Sequence, residues 1–339
     1  MSGLFSGIKI KSLTSKNRIV MPPMCMYSAD HDGQVNDWHL VHYSTRAIGG
    51  VGLIILEATA VEPRGRISTK DLGIWSDEQV AGLKQLVDLI HINGSQVILQ
   101  LAHAGRKSKV EDEPILAPAA IAFSDDYQTP TAMTQEQINE VVEAFQYGAK
   151  RALEAGFDGI EIHAAHGYLI NQFLSPLTNQ RTDSYGGNLE NRTKFLRQVL
   201  AAVGEVWDKN KPVSLRVSAE EYRLEGNHPK DLVNIINRVK EGGVDLIHVS
   251  SGGVVSATIP LYPGYQLTFA ETIKKNTRLP VIAGGLITKS KMAEEIIRNE
   301  RADFVFVGRE LLRNPYWPLH ASQKLGIDVP WPEQYERSK

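Results

Sequence analysis

Only one cysteine, Cys25, occurs in the 339 residues. That excludes an internal disulfide, a multi-cysteine zinc site and an iron–sulfur cluster held by this chain alone. No stretch approaches the ~18 consecutive apolar residues that mark a membrane span, and residues 1–17 lack the apolar core of a signal peptide. An excess of either charge is missing too: 37 Lys and Arg face 39 Asp and Glu, for a net charge of −2, so nothing electrostatic argues for nucleic acid or an anionic membrane. Low-complexity tracts and tandem repeats are absent. The expectation is a cytoplasmic protein that works on small molecules.

What is present is a regular alternation. Short Val/Ile/Leu-rich runs at 18–22, 52–57, 96–101, 159–163, 213–217, 246–249, 281–283 and 304–307 are separated by segments of helical period. The helical patterns cover 77–92, 135–155, 189–207, 229–241, 267–276 and 289–299. Ser76 and Thr134 stand as N-cap residues, and Gly94, Gly156 and Gly242 lie just past helix ends. Near-continuous apolar strands alternating with helices imply a parallel sheet covered by helices, and eight such units match an α/β fold of the single (β/α)8 TIM-barrel type over residues 1–339. An open doubly wound sheet is the alternative, but no G-x-G-x-x-G and no G-x-x-x-x-G-K follows any of the strands. Segments 107–133 and 250–266 are long for strand-to-helix connections and read as functional loops.

The chain is organised around Gly159-Ile160-Glu161-Ile162-His163-Ala164-Ala165-His166-Gly167-Tyr168. An apolar run delivers two imidazoles and a phenol to the exit of a strand. Too far apart to share one face of an extended strand, the histidines can converge where the chain curls into a turn. Each then offers an N–H to one oxygen of a carbonyl or nitro group, and Tyr168 adds an O–H suited to an acid step. The plainer reading is a pair of structurally satisfied buried histidines.

Barrels of this kind place reactive groups at the C-terminal ends of the strands. Read that way, the first strand yields Pro23, Met24, Cys25 and Tyr27, the second Ala58, and the third Gln100 and the His103-to-Lys107 run. The fifth yields Arg216, and the seventh and eighth Gly284-Gly285 and Gly308-Arg309. Glycines there let backbone N–H groups approach a phosphate, and Arg309 can pair with it; the simpler reading is tight turns. Gln100 and Arg216 suit a flat polar heterocycle that gains negative charge on reduction, as a flavin does. Cys25 is either a small buried hydrophobe or a sulfur beside that ring. A barrel aldolase or isomerase would need a Schiff-base lysine or paired carboxylates at a strand end, and Lys107 lies in a loop; a flavin-storage protein would bind but not turn over.

Asn17-Arg18-Ile19-Val20-Met21-Pro22-Pro23-Met24, Gln100-Leu101-Ala102-His103-Ala104-Gly105-Arg106, the His163-to-Leu169 motif, Arg181-Thr182-Asp183-Ser184-Tyr185-Gly186-Gly187, Glu190-Asn191-Arg192 and Gly308-Arg309 together resemble the old yellow enzyme family of FMN-dependent ene-reductases. Cys25, Tyr27, the two-histidine motif and Gln334-Tyr335-Glu336-Arg337 resemble its bacterial YqjM-like, or thermophilic-like, branch; Pro22 departs from the small hydroxyl residue often found there. The resemblance implies non-covalent FMN, contacted by Pro23, Met24, Cys25, Ala58, Gln100, His163 and Arg216, with its phosphate at Gly284, Gly285, Gly308 and Arg309. It implies His163 and His166 as holders of the substrate oxygen, Tyr168 as proton donor and Tyr27 in the substrate pocket. It further implies NADPH, with NADH the alternative, as hydride donor, ping-pong transfer through flavin N5, and activated alkenes as substrates. No metal is implied. A homo-oligomer, dimer or tetramer, follows from Arg337, which in similar enzymes reaches a neighbouring active site from the tail, here 328–339.

Overall fold

The computed structural model describes residues 3–111 and 113–339. Eight strands close into a barrel: β1 (Ile19–Met21), β2 (Leu53–Ala60), β3 (Gln96–Ala102), β4 (Gly159–Ala164), β5 (Val213–Ser218), β6 (Leu246–Ser250), β7 (Val281–Ala283) and β8 (Phe304–Phe306). Every neighbouring pair is parallel and spatial order follows chain order, so β8 closes on β1. The strand positions match those expected from the apolar runs. All eight residues of β2 and all six of β4 and of β5 are buried, as strands covered on both faces must be.

Outside the barrel run α1 (Asp37–Ile48), α2 (Val80–Ile92), α3 (Gln135–Glu154), α4 (Lys194–Val206), α5 (Pro229–Val239), α6 (Leu267–Thr277), α7 (Ser290–Arg298) and α8 (Trp317–Leu325). The capping signals are used. Thr134 Oγ1 accepts the Gln137 N–H at 3.2 Å while Gln137 Oε1 accepts the Thr134 N–H at 3.0 Å, closing two orphan donors at the start of α3. Gly94 and Gly156 take left-handed φ of 72° and 90° behind α2 and α3. At the end of α5 the left-handed residue is Gly243, at φ 104°, while Gly242 lies inside a 3₁₀ turn. The helical pattern at 189–207 is broken at Thr193 into Leu189–Arg192 and α4. Helices α1 and α8 and a hairpin of Ile8–Ile10 with Leu13–Ser15 are additional to the expected elements. No helix among the described residues is long and apolar enough to cross a membrane.

The barrel interior is layered. Val20, Leu53, Ile55, Ile98, Leu246, Ile282 and Phe304 form an apolar floor that Ile10 and Leu13 of the hairpin close from below. The alternate residues, such as Ile54, Leu99, Ile160 and Ile162, pack outward against the helices. Burying each such side chain contributes about 1.5–3 kcal/mol relative to exposure, which supports a polar layer above the floor.

Candidate active site

Above that floor the inward positions of β3 to β6 turn polar. Register sets Gln100 beside Glu161 and Glu161 beside Ser214; one pleat higher, His163, Arg216 and His248 are aligned across β4, β5 and β6. The period-two alternation of a strand puts both rows on the inner face. A further pleat brings Ser218 beside Ser250 at the C-terminal rim.

Here the chain leaves β4 through a turn that only particular residues allow. His166 sits at φ 59° and Gly167 at φ 74°. A Cβ on Gly167 would lie 2.2 Å from the Gly253 carbonyl oxygen, so glycine is required. The His166 N–H donates to Ser218 Oγ at 2.9 Å, and its carbonyl accepts from Lys107 Nζ at 2.9 Å. The turn swings the imidazoles together: the His163 and His166 rings are 5.2 Å apart and nearly perpendicular, and the Tyr168 ring lies 4.9 Å from His163.

Both imidazoles are neutral, because burial, reinforced by the Arg216 charge, holds each well below the ordinary histidine value. Their tautomers follow from their partners. His163 Nδ1 accepts the Ala165 N–H at 3.3 Å, which leaves its proton on Nε2. His166 Nε2 lies 2.7 Å from Ser250 Oγ, an oxygen that also accepts from Gln266 Nε2 at 3.3 Å; with the serine proton directed at His166, the ring keeps its own on Nδ1. Each ring therefore has one N–H unspent inside the protein. Burial raises the Tyr168 hydroxyl well above 10, so it is a phenol and not a phenolate.

The other residues singled out by sequence gather around this centre. Pro23, Met24 and Cys25 form the extended segment after β1, and the Pro23 carbonyl accepts from Arg216 Nη1 at 3.4 Å. Glu57 holds the loop by accepting the Met26 N–H at 2.9 Å and the Tyr43 hydroxyl at 3.0 Å. Burial and the Asp71 and Glu57 carboxylates push the Cys25 thiol up to about 12, so it is no thiolate nucleophile. Tyr27 is 46% exposed at φ 52°, on the rim. Ala58 pairs in register with Gln100. Lys107 lies over the Tyr168 ring at 5.2 Å and spends its donors on the His166 and Gly253 carbonyls.

A flat anionic cofactor suits these groups. Arg216 is buried with its Nε lacking any hydrogen-bond partner, and Gln100 spends its Nε2 on Glu161, leaving Oε1 as an acceptor. The glycines divide. Gly284 is demanded by packing, since a Cβ would meet the Phe306 ring at 2.6 Å, and Gly285 by its φ of 100°. A Cβ on Gly308 meets nothing closer than 3.6 Å, so packing does not demand that glycine, which lies beside exposed Arg309. Arg337 is not brought to this site. Residues 328–332 and Gln334 line a groove with Asn17, Gly50 and Gly94, at the strands' N-terminal ends, and Arg337 follows in the turn Glu333–Ser338.

Ser250, Gln266, Glu57 and Glu161 were not among the sequence candidates. Lys107 belongs to the His103-to-Lys107 run read at the third strand end, and the structure gives it contacts with the Tyr168 ring and the His166 carbonyl.

A parallel barrel with neutral donors, a phenol and a buried guanidinium converging at its C-terminal mouth is a (β/α)8 enzyme that works at its strand ends. Residues 3–327 match the model of the NADH:flavin oxidoreductase / NADH oxidase family, and the chain belongs to this family of FMN-dependent oxidoreductases. It is 58% identical over 335 residues to an NADPH dehydrogenase of Geobacillus sp. (strain WCH70), covering 98% of both chains. Among solved structures it resembles morphinone reductase, at 30% identity and a TM-score of 0.83 over 98% of this chain and 91% of that one. It also resembles an old yellow enzyme homologue from Zymomonas mobilis, at 27% identity and a TM-score of 0.84 over 99% and 96%.

Proposed function

We propose that the protein reduces the C=C bond of α,β-unsaturated carbonyl compounds, imides and nitroalkenes at the expense of NADPH, with NADH the alternative donor. The observation that carries this reading is the pair of buried neutral imidazoles, each with an unspent N–H, beside a tyrosine held in its phenol form. NADPH is favoured because the Geobacillus relative carries the name NADPH dehydrogenase.

Bound FMN would supply two-electron hydride chemistry for both half-reactions at one site, so that the kinetics would be ping-pong. Pro23, Met24, Cys25, Ala58, Gln100, His163 and Arg216 would hold its ring, and Gly284, Gly285, Gly308 and Arg309 its phosphate. His163 Nε2–H and His166 Nδ1–H hold the oxygen that activates the alkene. Negative charge grows on that oxygen as the β-carbon is reduced, so both hydrogen bonds are stronger in the transition state than before it and speed the step. Tyr168 gives its proton to the α-carbon, and Tyr27 flanks the pocket. Arg337, at the far end of its own barrel, would serve a neighbouring subunit, and the working enzyme would then be a homo-oligomer, dimer or tetramer.

A His163→Ala, His166→Ala double variant tests the assignment. Loss of one oxyanion donor typically costs about 10²–10³ in rate, so turnover of an enone should fall at least that far while FMN stays bound. Normal enone turnover with a full complement of FMN would sink the reading.

A further inference from the structure

Glu161 lies two residues before His163 on β4, 0% exposed. A carboxylate so enclosed needs partners, and it has three: Gln100 Nε2 at 2.7 Å, Ser214 Oγ at 2.9 Å and His248 Nδ1 at 2.9 Å. Burial works to raise its pKa, but His248, Arg216 and the Ser214 hydroxyl outweigh it and hold the group below the ordinary carboxylate range. It is an anion buried in the barrel with no contact to solvent. The reaction described above does not use it, and packing alone would be served as well by an apolar side chain.

Two consequences follow from the geometry. A carboxylate only accepts hydrogen bonds, so Gln100 must turn its Nε2 toward Glu161 and its Oε1 the other way. The amide thus meets the cofactor as an acceptor for a ring N–H. The second consequence is electrostatic. Arg216 is a buried cation with an unpartnered Nε, and the charge of Glu161 one row below partly cancels it. Negative charge arriving on a reduced ring therefore meets a partly neutralised guanidinium.

We propose that Glu161 is a positioning residue that sets the reduction potential of the bound flavin, by fixing the Gln100 amide and offsetting the Arg216 charge. This rests on the placement of the flavin ring against Gln100 and Arg216. Removing the negative charge leaves the guanidinium uncompensated and stabilises the reduced, anionic ring.

The test is an anaerobic reductive titration of the holoenzyme against a reference dye. Glu161→Gln, which keeps the shape and loses the charge, should move the equilibrium about tenfold toward reduced flavin, which for a two-electron couple is about 30 mV. Glu161→Asp keeps the charge and should stay within about threefold of the parent, roughly 15 mV on the same scale. An unmoved Glu161→Gln, or two variants that move together, overturns the proposal. Should Glu161→Gln fail to retain FMN, Ser214→Ala decides: with one donor gone the carboxylate charge is less spread, and the equilibrium should move about twofold or more toward oxidised flavin. No movement there overturns the proposal as well. Arg216→Met separates the two levels of the argument. A potential unmoved in that variant would overturn the placement of the flavin, and the role of Glu161 with it. A moved Arg216→Met beside an unmoved Glu161→Gln overturns the role of Glu161 alone.

Discussion

Replacing Ser250 with alanine deletes the hydroxyl that lies 2.7 Å from His166 Nε2 and strips Gln266 of an acceptor it reaches at 3.3 Å. With the serine proton on the Nε2 lone pair, the imidazole proton stays on Nδ1, where it can meet the substrate oxygen. Alanine removes that preference. A hydrogen bond of this kind contributes about 1 kcal/mol net, roughly fivefold in rate. Complete reversal of the tautomer would cost the substrate oxygen one donor, worth about 10²–10³. The expected loss in the alkene half-reaction therefore lies between roughly fivefold and 10²-fold, with the nicotinamide half-reaction unaffected. Stopped-flow mixing of reduced enzyme with an enone, and separately of oxidised enzyme with NADPH, resolves the two. Ser250→Thr keeps a hydroxyl and should recover most of the loss. Equal losses in both half-reactions would refute the reasoning, since they would tie the serine to the cofactor and not to His166, and so would an unchanged alkene rate.

Tyr168→Phe should slow the alkene half-reaction by about 10²-fold or more, the ordinary value of a positioned general acid, while flavin reduction by NADPH proceeds normally; an unchanged alkene rate would remove the tyrosine from the proton path. Acidification should destabilise the folded protein below about pH 6.5, where free histidine titrates. Burial lowers His39 to about 4 and His42 to about 3, and holds His163, His166 and His248 below 6.5, so the unfolded chain takes up protons that the folded one refuses. Burial raises Glu57 to about 7 and Asp71 to about 6 and raises Glu221, and the Asp158 and Glu220 carboxylates raise the partly exposed His91 and His228; these act the other way, but the buried imidazoles carry the larger shifts. Stability present above pH 6.5 is thus lost as pH falls, and a urea midpoint higher at about pH 5.5 than at about pH 7.5 would contradict the balance.

The barrel strands were legible because each is a short, continuously apolar run, which is what a strand buried on both faces must be. Helix α1 was not. Its sequence, Asp37-Trp38-His39-Leu40-Val41-His42-Tyr43-Ser44-Thr45-Arg46-Ala47-Ile48, is crowded with aromatic, β-branched and polar residues of weak helix preference, and tertiary packing of Tyr43 and Ala47 makes it a helix. The hairpin was hidden by strands of only three residues. Within the site, His163, His166 and Tyr168 announced themselves as polar groups leaving an apolar strand. Glu161 and Ser250 did not, because a polar residue inside a strand takes its meaning from the neighbour that register brings beside it. Gln100, Glu161 and Ser214 come together only once β3, β4 and β5 are aligned, though 61 and 53 residues separate the bonded pairs. Gln266 is harder still, since it reaches the site from the end of a long loop.

The central claim, that one bound flavin takes hydride from a nicotinamide and passes it to an activated alkene, is tested most directly by an anaerobic absorbance titration of the purified protein with NADPH and then with cyclohexenone. The account predicts a yellow protein that bleaches with NADPH and regains its colour stoichiometrically with the enone. A bleached protein that the enone leaves colourless would contradict the assignment of His163, His166 and Tyr168 to alkene reduction.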